Sequence, residues 1–120
     1  MASLLVHITH GPEAPTTGAL GMLVARTALA EGHEVTVFLA GDGVQLIRDS
    51  VLDSTHGVGT GSLREHFDAI VASGGRFYVS RLSSNARGVT EADLEGKPAQ
   101  FGAPTDLVRD TLECDRALTH

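Results

Sequence analysis

The chain has 120 residues, a formal net charge of −6, 42% hydrophobic residues and 20% charged residues. This length fits one domain, over residues 1–120, whose single core buries about two-thirds of the unfolded surface. The acidic balance argues against nucleic-acid binding and against an anionic membrane surface, because both depend on Lys and Arg. The start lacks the basic region of a secretory signal, and no apolar run approaches the ~20 residues of a membrane span. We therefore expect a cytoplasmic protein.

Short apolar runs alternate with segments of helical periodicity. Residues 4–8 form a predicted strand, and a helix follows that begins at Thr16 or Thr17 and closes at Gly32, where glycine supplies a left-handed cap. The strand Glu34–Leu39 completes a parallel βαβ unit. The later predicted elements are a helix over 44–48, a mobile glycine-rich loop over 52–61, a helix opened by the capping box of Ser62 and Glu65, a strand over 76–79, a polar loop over 80–88, a helical turn over 90–94, an extended piece over 99–101, a helix over 105–113 and a strand over 116–119.

This alternation predicts a three-layer α/β sandwich with a mainly parallel, flavodoxin-like open sheet. In the common flavodoxin-like order, the first strand lies between the second and the third. Ligands then bind outside the carboxyl ends of the strands, at the point where the order reverses. With that order, the predicted ligand-binding loops are residues 9–12, after the first strand, and residues 80–88, after the third. The loop over 52–61 is placed to act as a lid over this crevice.

The two selected loops contain the candidate ligand-binding residues, which are His10, Gly11, Pro12, Ser80, Arg81, Asn85 and Arg87. The two arginines offer paired donors to a carboxylate, a sulfur oxyanion or a phosphate. Gly11 lacks a Cβ and permits close approach to a ligand, while the His10 imidazole is a candidate proton donor or acceptor. A structural interpretation stays open, since Ser and Asn can satisfy their own backbone and His10 can hydrogen-bond the turn before Pro12.

Other candidate motifs give weaker signals. The Gly-x-Gly-x-Gly motif over 57–61 is similar to part of a dinucleotide loop but follows a helix instead of a strand. Residues 41–43 precede a helix, where an anion can bind, although turn formation also accounts for them. His7 and His10 point to opposite faces of their strand, and no other histidine has a partner at ligand spacing. We expect no metal site and no cofactor.

Cys114 is the only cysteine, which excludes an internal disulfide and any four-cysteine cluster within one chain. It precedes the last predicted strand and therefore lies at the amino edge of a parallel sheet, about one strand length (~15 Å) from the candidate crevice. Within one subunit the thiol cannot attack a ligand bound there. We expect an inert thiol or a small buried apolar residue.

Five segments, in this order, resemble the DsrE/DsrF-like family (YchN- and TusD-related proteins), small α/β proteins of sulfur metabolism: residues 5–12, 28–35, 37–44, 85–89 and 114–119. The resemblance implies a homo-oligomer, commonly a trimer or hexamer. In active members it also implies a persulfide-carrying cysteine at the start of the loop after the third strand. Matching residues 78–79 and 87–88 to the family pattern places Ser80 at the position of that cysteine.

A serine hydroxyl cannot hold a persulfide or undergo thiol exchange. The leading hypothesis is therefore a non-catalytic binding or assembly protein, whose crevice at the first and third strands binds a small anion or a partner loop. A second hypothesis keeps sulfur transfer, with Cys114 as the carrier across subunits. A third is a structural subunit in a hetero-oligomer with a cysteine-bearing paralogue. These hypotheses together favour a protein without enzymatic activity.

Overall fold

The computed structural model describes all residues from 1 to 120 as strands alternating with helices. In chain order the elements are β1 (Ser3–Ile8), α1 (Pro15–Ala30), β2 (Glu34–Leu39), a 3-10 helix (Gly41–Ile47), α2 (Asp49–Ser54), β3 (His56–Gly57), β4 (Gly61–Ser62), α3 (Leu63–Ala72), β5 (Arg76–Ser80), α4 (Arg81–Arg87), α5 (Glu91–Leu94), β6 (Ala99–Gly102), α6 (Pro104–Glu113) and β7 (Arg116–Thr119). None of the helices combines the length and the apolar character needed to cross a membrane.

Five strands form one parallel sheet in the order β6-β5-β2-β1-β7, and β3 pairs with β4 in a separate antiparallel hairpin. The predicted α/β class with an open parallel, flavodoxin-like sheet is confirmed. From β1 the chain moves outward through β2 and β5 to β6, and it then returns through α6 to place β7 on the other side of β1. The strand order therefore reverses between β1 and β7.

The expected neighbours of the first strand are partly wrong. The third strand in the predicted series is β5, and it pairs with β2, in the register Val37 opposite Phe77, instead of with β1. Since β2 lies between β1 and β5, the carboxyl ends of β1 and β5 do not form a crevice directly. The turn that follows β2 stands between them.

One face of the sheet contains the core. Val6, Val37 and Val79 belong to a buried apolar cluster that also includes Met22 of α1 and Ile70 of α3. Each fully buried side chain of this kind stabilises the fold by roughly 1.5–3 kcal/mol relative to an exposed one. This face is filled, so binding sites must lie at the edges of the sheet or on its opposite face.

The opposite face is covered by only one helix, α6, as the long return from β6 to β7 requires. Here β1, β2 and β5 align a row of rings: His7 lies edge-on to Phe38, and Phe38 stacks on Tyr78, with 5.9 Å between centroids in each pair. No residue of α6 is fully buried. The three-layer arrangement is therefore present but uneven, with a thin second helical layer.

Several predicted boundaries are confirmed and one is displaced. Ser62 caps α3 by accepting a hydrogen bond from the Glu65 N–H, as the capping box indicates. The helix α1 begins at Pro15, with Ala14 as its N-cap, and not at Thr16 or Thr17. Proline suits this first helical position because its fixed φ is already helical and its missing N–H would have no partner there.

Two segments predicted as loops are ordered elements. Residues 80–88 form α4 with its caps, and Gly88 ends it in the left-handed conformation at φ 71°. Residues 52–61 contain the end of α2 and most of the β3–β4 hairpin. The hairpin rests on the core helices, since the Val58 N–H donates to Thr16 Oγ1 of α1 and the His66 ring of α3 contacts the Thr60 carbonyl.

His7 gives a testable pH dependence. Its side chain is half-buried, its Nε2 is enclosed without a hydrogen-bond partner, and this loss of hydration lowers the pKa of His7 below its ordinary value of 6.5. The unfolded chain therefore binds a proton first, and the stability contributed by neutral His7 declines as the pH falls from 6.5 through the lower pKa of the folded state. Denaturant unfolding of the wild type and His7→Phe between about pH 8 and about pH 5 should show the variant gaining relative stability toward acid. The other histidines are common to both proteins, so a constant difference would contradict the assignment.

Candidate functional site

The predicted site residues lie at the carboxyl edge of the sheet, on the two sides of the turn after β2. His10, Gly11 and Pro12 follow β1, whereas Ser80 and α4 follow β5. The chain end joins the first group, because the Thr9 N–H donates to the His120 carbonyl over 2.8 Å. The seven residues thus share one edge but form two groups, separated by residues 40–43.

The turns after β1 and β2 are interlocked through two glycines. A Cβ on Gly11 would overlap the carbonyl oxygen of Asp42, and a Cβ on Gly43 would overlap the carbonyl oxygen of Ile8. The close approach predicted for Gly11 is present, but its partner is the backbone of the neighbouring turn. The glycines at 11 and 43 are therefore explained by the packing of the two loops against each other.

The loop after β1 already holds a carboxylate of its own. The Gly11 N–H donates to Glu13 Oε1 over 2.6 Å, and His10 Nδ1 lies 3.5 Å from Glu13 Oε2. Both side chains are about half exposed, at 53% for His10 and 46% for Glu13. The loop can hold a carboxylate, but an incoming anion at this point must displace Glu13.

Ser80 and Arg87 hold α4 against the turn after β2. Ser80 Oγ accepts a hydrogen bond from the Ser83 N–H over 3.3 Å, so Ser80 is the N-cap of the helix. Ser83 Oγ in turn accepts from the Gly41 N–H over 2.9 Å. Arg87 Nε donates to Asp42 Oδ1 over 2.9 Å, which pairs the guanidinium with a carboxylate of the same protein. These contacts make α4 and the turn one unit.

The remaining predicted residues are on the outer side of α4. The Arg81 guanidinium lies 4.0 Å from the centroid of the Phe101 ring, a favourable cation–π arrangement. Asn85 is exposed, and Leu82 beside it has 66% of its surface exposed. Positions 81, 82 and 85 are neighbours on a helix surface. Together they form a mixed apolar and polar surface, called here the α4 surface.

Glu13 and Arg48 of this edge were not predicted from the sequence, and Asp42 was predicted only as part of the turn over 41–43. Arg48 Nη2 donates to the carbonyls of Arg87 and Gly88, and its Nε lies 3.5 Å from a carboxylate oxygen of Asp93, so it joins the end of α4 to α5. The local spacing of Glu13 from His10 was a usable signal. No local pattern relates position 48 to positions 87 and 93.

Cys114 lies where the sequence predicts, at the amino edge beside the start of β7. Its sulfur lies 3.4 Å from the carbonyl oxygen of Thr111 and 3.2 Å from that of Arg116, and its single S–H can donate to either one. Elsewhere in the fold, no three His, Cys, Asp or Glu side chains come together as a group that could hold a metal ion. A cavity of about 650 Å³ also lies at this amino edge.

The parallel sheet and the capped turn-to-helix unit at its carboxyl edge define a small α/β protein of the flavodoxin-like type. The sequence matches the model of the DsrE/DsrF-like family over residues 2–120, and the chain belongs to that family. The fold is similar to that in the crystal structure of the ychN protein from E. coli, with a TM-score of 0.80, 15% sequence identity and 100% of both chains covered. No curated protein sequence matches the chain at a significant level.

Proposed function

We propose that this protein is a non-catalytic DsrE-like protein of the sulfur-relay type, which binds a small anion or a partner loop at the carboxyl edge of the sheet. Ser80 is the observation that carries the proposal. It stands at the end of β5, where the family pattern leads us to expect the sulfur-carrying cysteine, and its hydroxyl caps α4. An oxygen at this position supports the helix but cannot carry sulfane sulfur.

The charges at this edge favour a partner loop over a free anion. Arg87 and His10 already face the carboxylates of Asp42 and Glu13, so a free anion gains little unless it displaces one of them. A partner protein gains more, because the α4 surface adds the exposed Leu82 to polar groups. Apolar anchors surrounded by polar groups are typical of protein interfaces.

The partner-loop proposal is tested by co-purification with a cysteine-bearing DsrE-like protein. We expect a stable hetero-complex that is lost in Leu82→Glu, since the new carboxylate would be buried in the interface. Val58→Glu is the matched control, because Val58 is 86% exposed on the β3–β4 hairpin and is not part of the α4 surface. Equal complex formation by both variants, or none by the wild type, would count against the α4 surface as the docking site.

The anion proposal is tested separately by NMR titration with phosphate, sulfite and thiosulfate. A bound anion should shift the backbone signals of residues 10–12 and 80–87, and Arg87→Gln should weaken binding by roughly tenfold, as expected for loss of a charged hydrogen bond. Arg116→Gln removes an equal charge from β7 and should leave binding unchanged. If none of the anions shifts these signals, the anion proposal is wrong and only partner docking remains.

The alternative sulfurtransferase role for Cys114 predicts a covalent product. Incubation with thiosulfate, followed by mass spectrometry of the intact chain, would then show the added mass of one sulfur atom on Cys114. We expect no such adduct on the wild type, because the thiol has two carbonyl oxygens within hydrogen-bond distance and stands at the edge opposite Ser80. An adduct lost in Cys114→Ser would favour the alternative.

Self-association as a trimer or hexamer forms part of the proposal. The outer side of α6 presents Val108 and Leu112, which are 58% and 79% exposed, and Leu118 of the edge strand β7 is 44% exposed. Exposed apolar side chains grouped in this way mark association surfaces. We expect Val108→Glu combined with Leu112→Glu to lower the molar mass measured by light scattering. Val58→Glu should not change it, and a wild type that is already monomeric would contradict the proposal.

A further inference from the structure

The cavity at the amino edge lies at the end of the sheet opposite the proposed binding surface. A ligand bound there would add a second site to the proposed function. The cavity has a volume of about 650 Å³, is partly open to solvent, and is bordered by the first residues of β1, β2 and β5, the C-terminal ends of α1 and α3, and the last turn of α6. Its partly exposed apolar lining includes Leu4 and Leu29, whereas the lining residues Leu5 and Val35 are only 1% and 5% exposed. Pockets of this size and mixed lining accommodate small organic molecules.

The side of α6 that faces the sheet is unusually polar, because Asp106 and Asp110 lie on it beside the half-buried Leu107. The apolar Val108 and Leu112 point outward, whereas the carboxylates of Asp106 and Asp110 are turned inward and are only 27% and 19% exposed. Surface helices usually direct their apolar side at the sheet. Acidic groups turned toward the sheet therefore need partners in the space between α6 and the strands.

The two inward carboxylates differ in how well they are satisfied. Asp106 accepts a hydrogen bond from the Ala103 N–H over 2.7 Å and faces Arg109 Nη1 at 3.0 Å. Asp110 has only a 3.4 Å contact from Arg109 to Oδ1, and its Oδ2 is enclosed without a hydrogen-bond partner. A buried carboxylate oxygen without a donor is costly. Asp110 lines the cavity, so a donor that enters the cavity can satisfy it.

A cation lines the same cavity without pairing with this carboxylate. Arg76 begins β5, and its register partner Thr36 also lines the cavity. Arg76 takes part in none of the salt bridges of the structure, although Asp110 and Glu113 border the same space. Arg76 is exposed at this edge, and Asp110 lines the same cavity together with Glu34 and Glu113, so a single ligand can contact both a positive and a negative group.

We propose that this cavity binds a free apolar amino acid. Its ammonium group donates to Asp110, assisted by Glu113, its carboxylate pairs with the Arg76 guanidinium, and its side chain lies on the apolar lining. A ligand with only one charge leaves either Arg76 or Asp110 unpaired, whereas a zwitterion satisfies both. Charge-assisted hydrogen bonds at both ends give the site its selectivity.

The test compares L-leucine with its two halves on the full chain. Isocaproate lacks the ammonium group of leucine, and isoamylamine lacks its carboxylate. NMR titration should show leucine shifting the signals of residues 33–36, 76 and 110–114, with each half binding at least about tenfold more weakly. This comparison uses only the wild type and therefore does not depend on the folding of any variant.

Variants then assign the two charges. Asp110→Asn and Arg76→Gln should each weaken leucine binding by about tenfold or more, while Glu91→Gln and Arg116→Gln remove the same charges outside the cavity and should have no effect. Circular dichroism confirms that each variant is folded. Leucine that does not bind, that binds no better than its halves, or that binds equally to Asp110→Asn would overturn the proposal. None of these results bears on the carboxyl edge, so the two proposals can fail separately.

Discussion

Gly43→Ala should destabilise the protein by about 3 kcal/mol or more, at the upper end of the range for overpacking. The added Cβ would overlap the carbonyl oxygen of Ile8, and backbone cannot move aside as a flexible side chain can. Relief would require the turn after β2 to separate from the loop after β1. That movement would also disturb Gly11, which packs on the carbonyl of Asp42 in the same interlock. Chemical denaturation measures the change in the free energy of unfolding.

Gly18→Ala is the matched control for this substitution. Gly18 lies within α1, and a Cβ there would be 3.2 Å from a terminal methyl group of Leu46, which can adjust. The alanine gains up to about 1 kcal/mol of helix propensity, which offsets the tight contact. We expect Gly18→Ala to stay within about 1 kcal/mol of the wild type. If both variants lose the same free energy of unfolding, the contact between the two turns does not restrict residue 43 more than an ordinary helix contact restricts residue 18.

Local patterns were sufficient to predict most helices and strands. The capping box at Ser62, the left-handed glycine after α1 and the apolar runs of β1 and β2 each carry their signal within a few residues. The segment 80–88 was predicted as a loop because Ser and Asn favour caps and turns. Ser80 does act as a cap, but the helix that follows it is held by Arg87 and by the turn after β2. Tertiary contacts decided its structure.

Strand order was not available from any local pattern. The hydrophobic runs of β1 and β5 contain no information on whether β2 lies between them, because all three are buried strands of similar character. The ion pair of Arg87 with Asp42 depends on this order, as does the contact of Gly11 with the Asp42 carbonyl. The identity of the candidate residues could therefore be predicted, whereas their grouping and their partners could not.

Topology locates Cys114 within the fold, which the number of cysteines alone cannot do. The sequence places it before a terminal strand, and the parallel direction of β7 then fixes it at the amino edge. The same edge holds Arg76 and Asp110, which belong to β5 and α6 and have no local relationship in the sequence. The cavity they line follows from the return of α6 across the sheet, which only the strand order reveals.

Ser80→Cys in a Cys114→Ser background should change the chain from one that takes up no sulfur to one that does. The new thiolate would attack the outer sulfur of thiosulfate and break its S–S bond. This forms a persulfide on the introduced cysteine and releases sulfite, so that atoms and charge balance. The helix α4 should survive, because loss of the Ser80 cap costs about 1 kcal/mol. Intact mass spectrometry should show one added sulfur atom on the variant and none on Cys114→Ser alone.

The control for this gain is an exposed thiol elsewhere, Ser54→Cys in the same background. Ser54 is exposed at the end of α2, away from β5, so it reports on the general reactivity of a surface thiol. If much more sulfur is added at position 80 than at position 54, the carboxyl edge still favours sulfur transfer. The oxygen of Ser80, in place of a sulfur atom, would then account for the loss of that activity. Equal loading would mean that the edge contributes nothing, and no loading at position 80 would remove this position as a sulfur site. The substitution thus separates a site that has lost its nucleophile from a surface that never had a sulfur-carrying role.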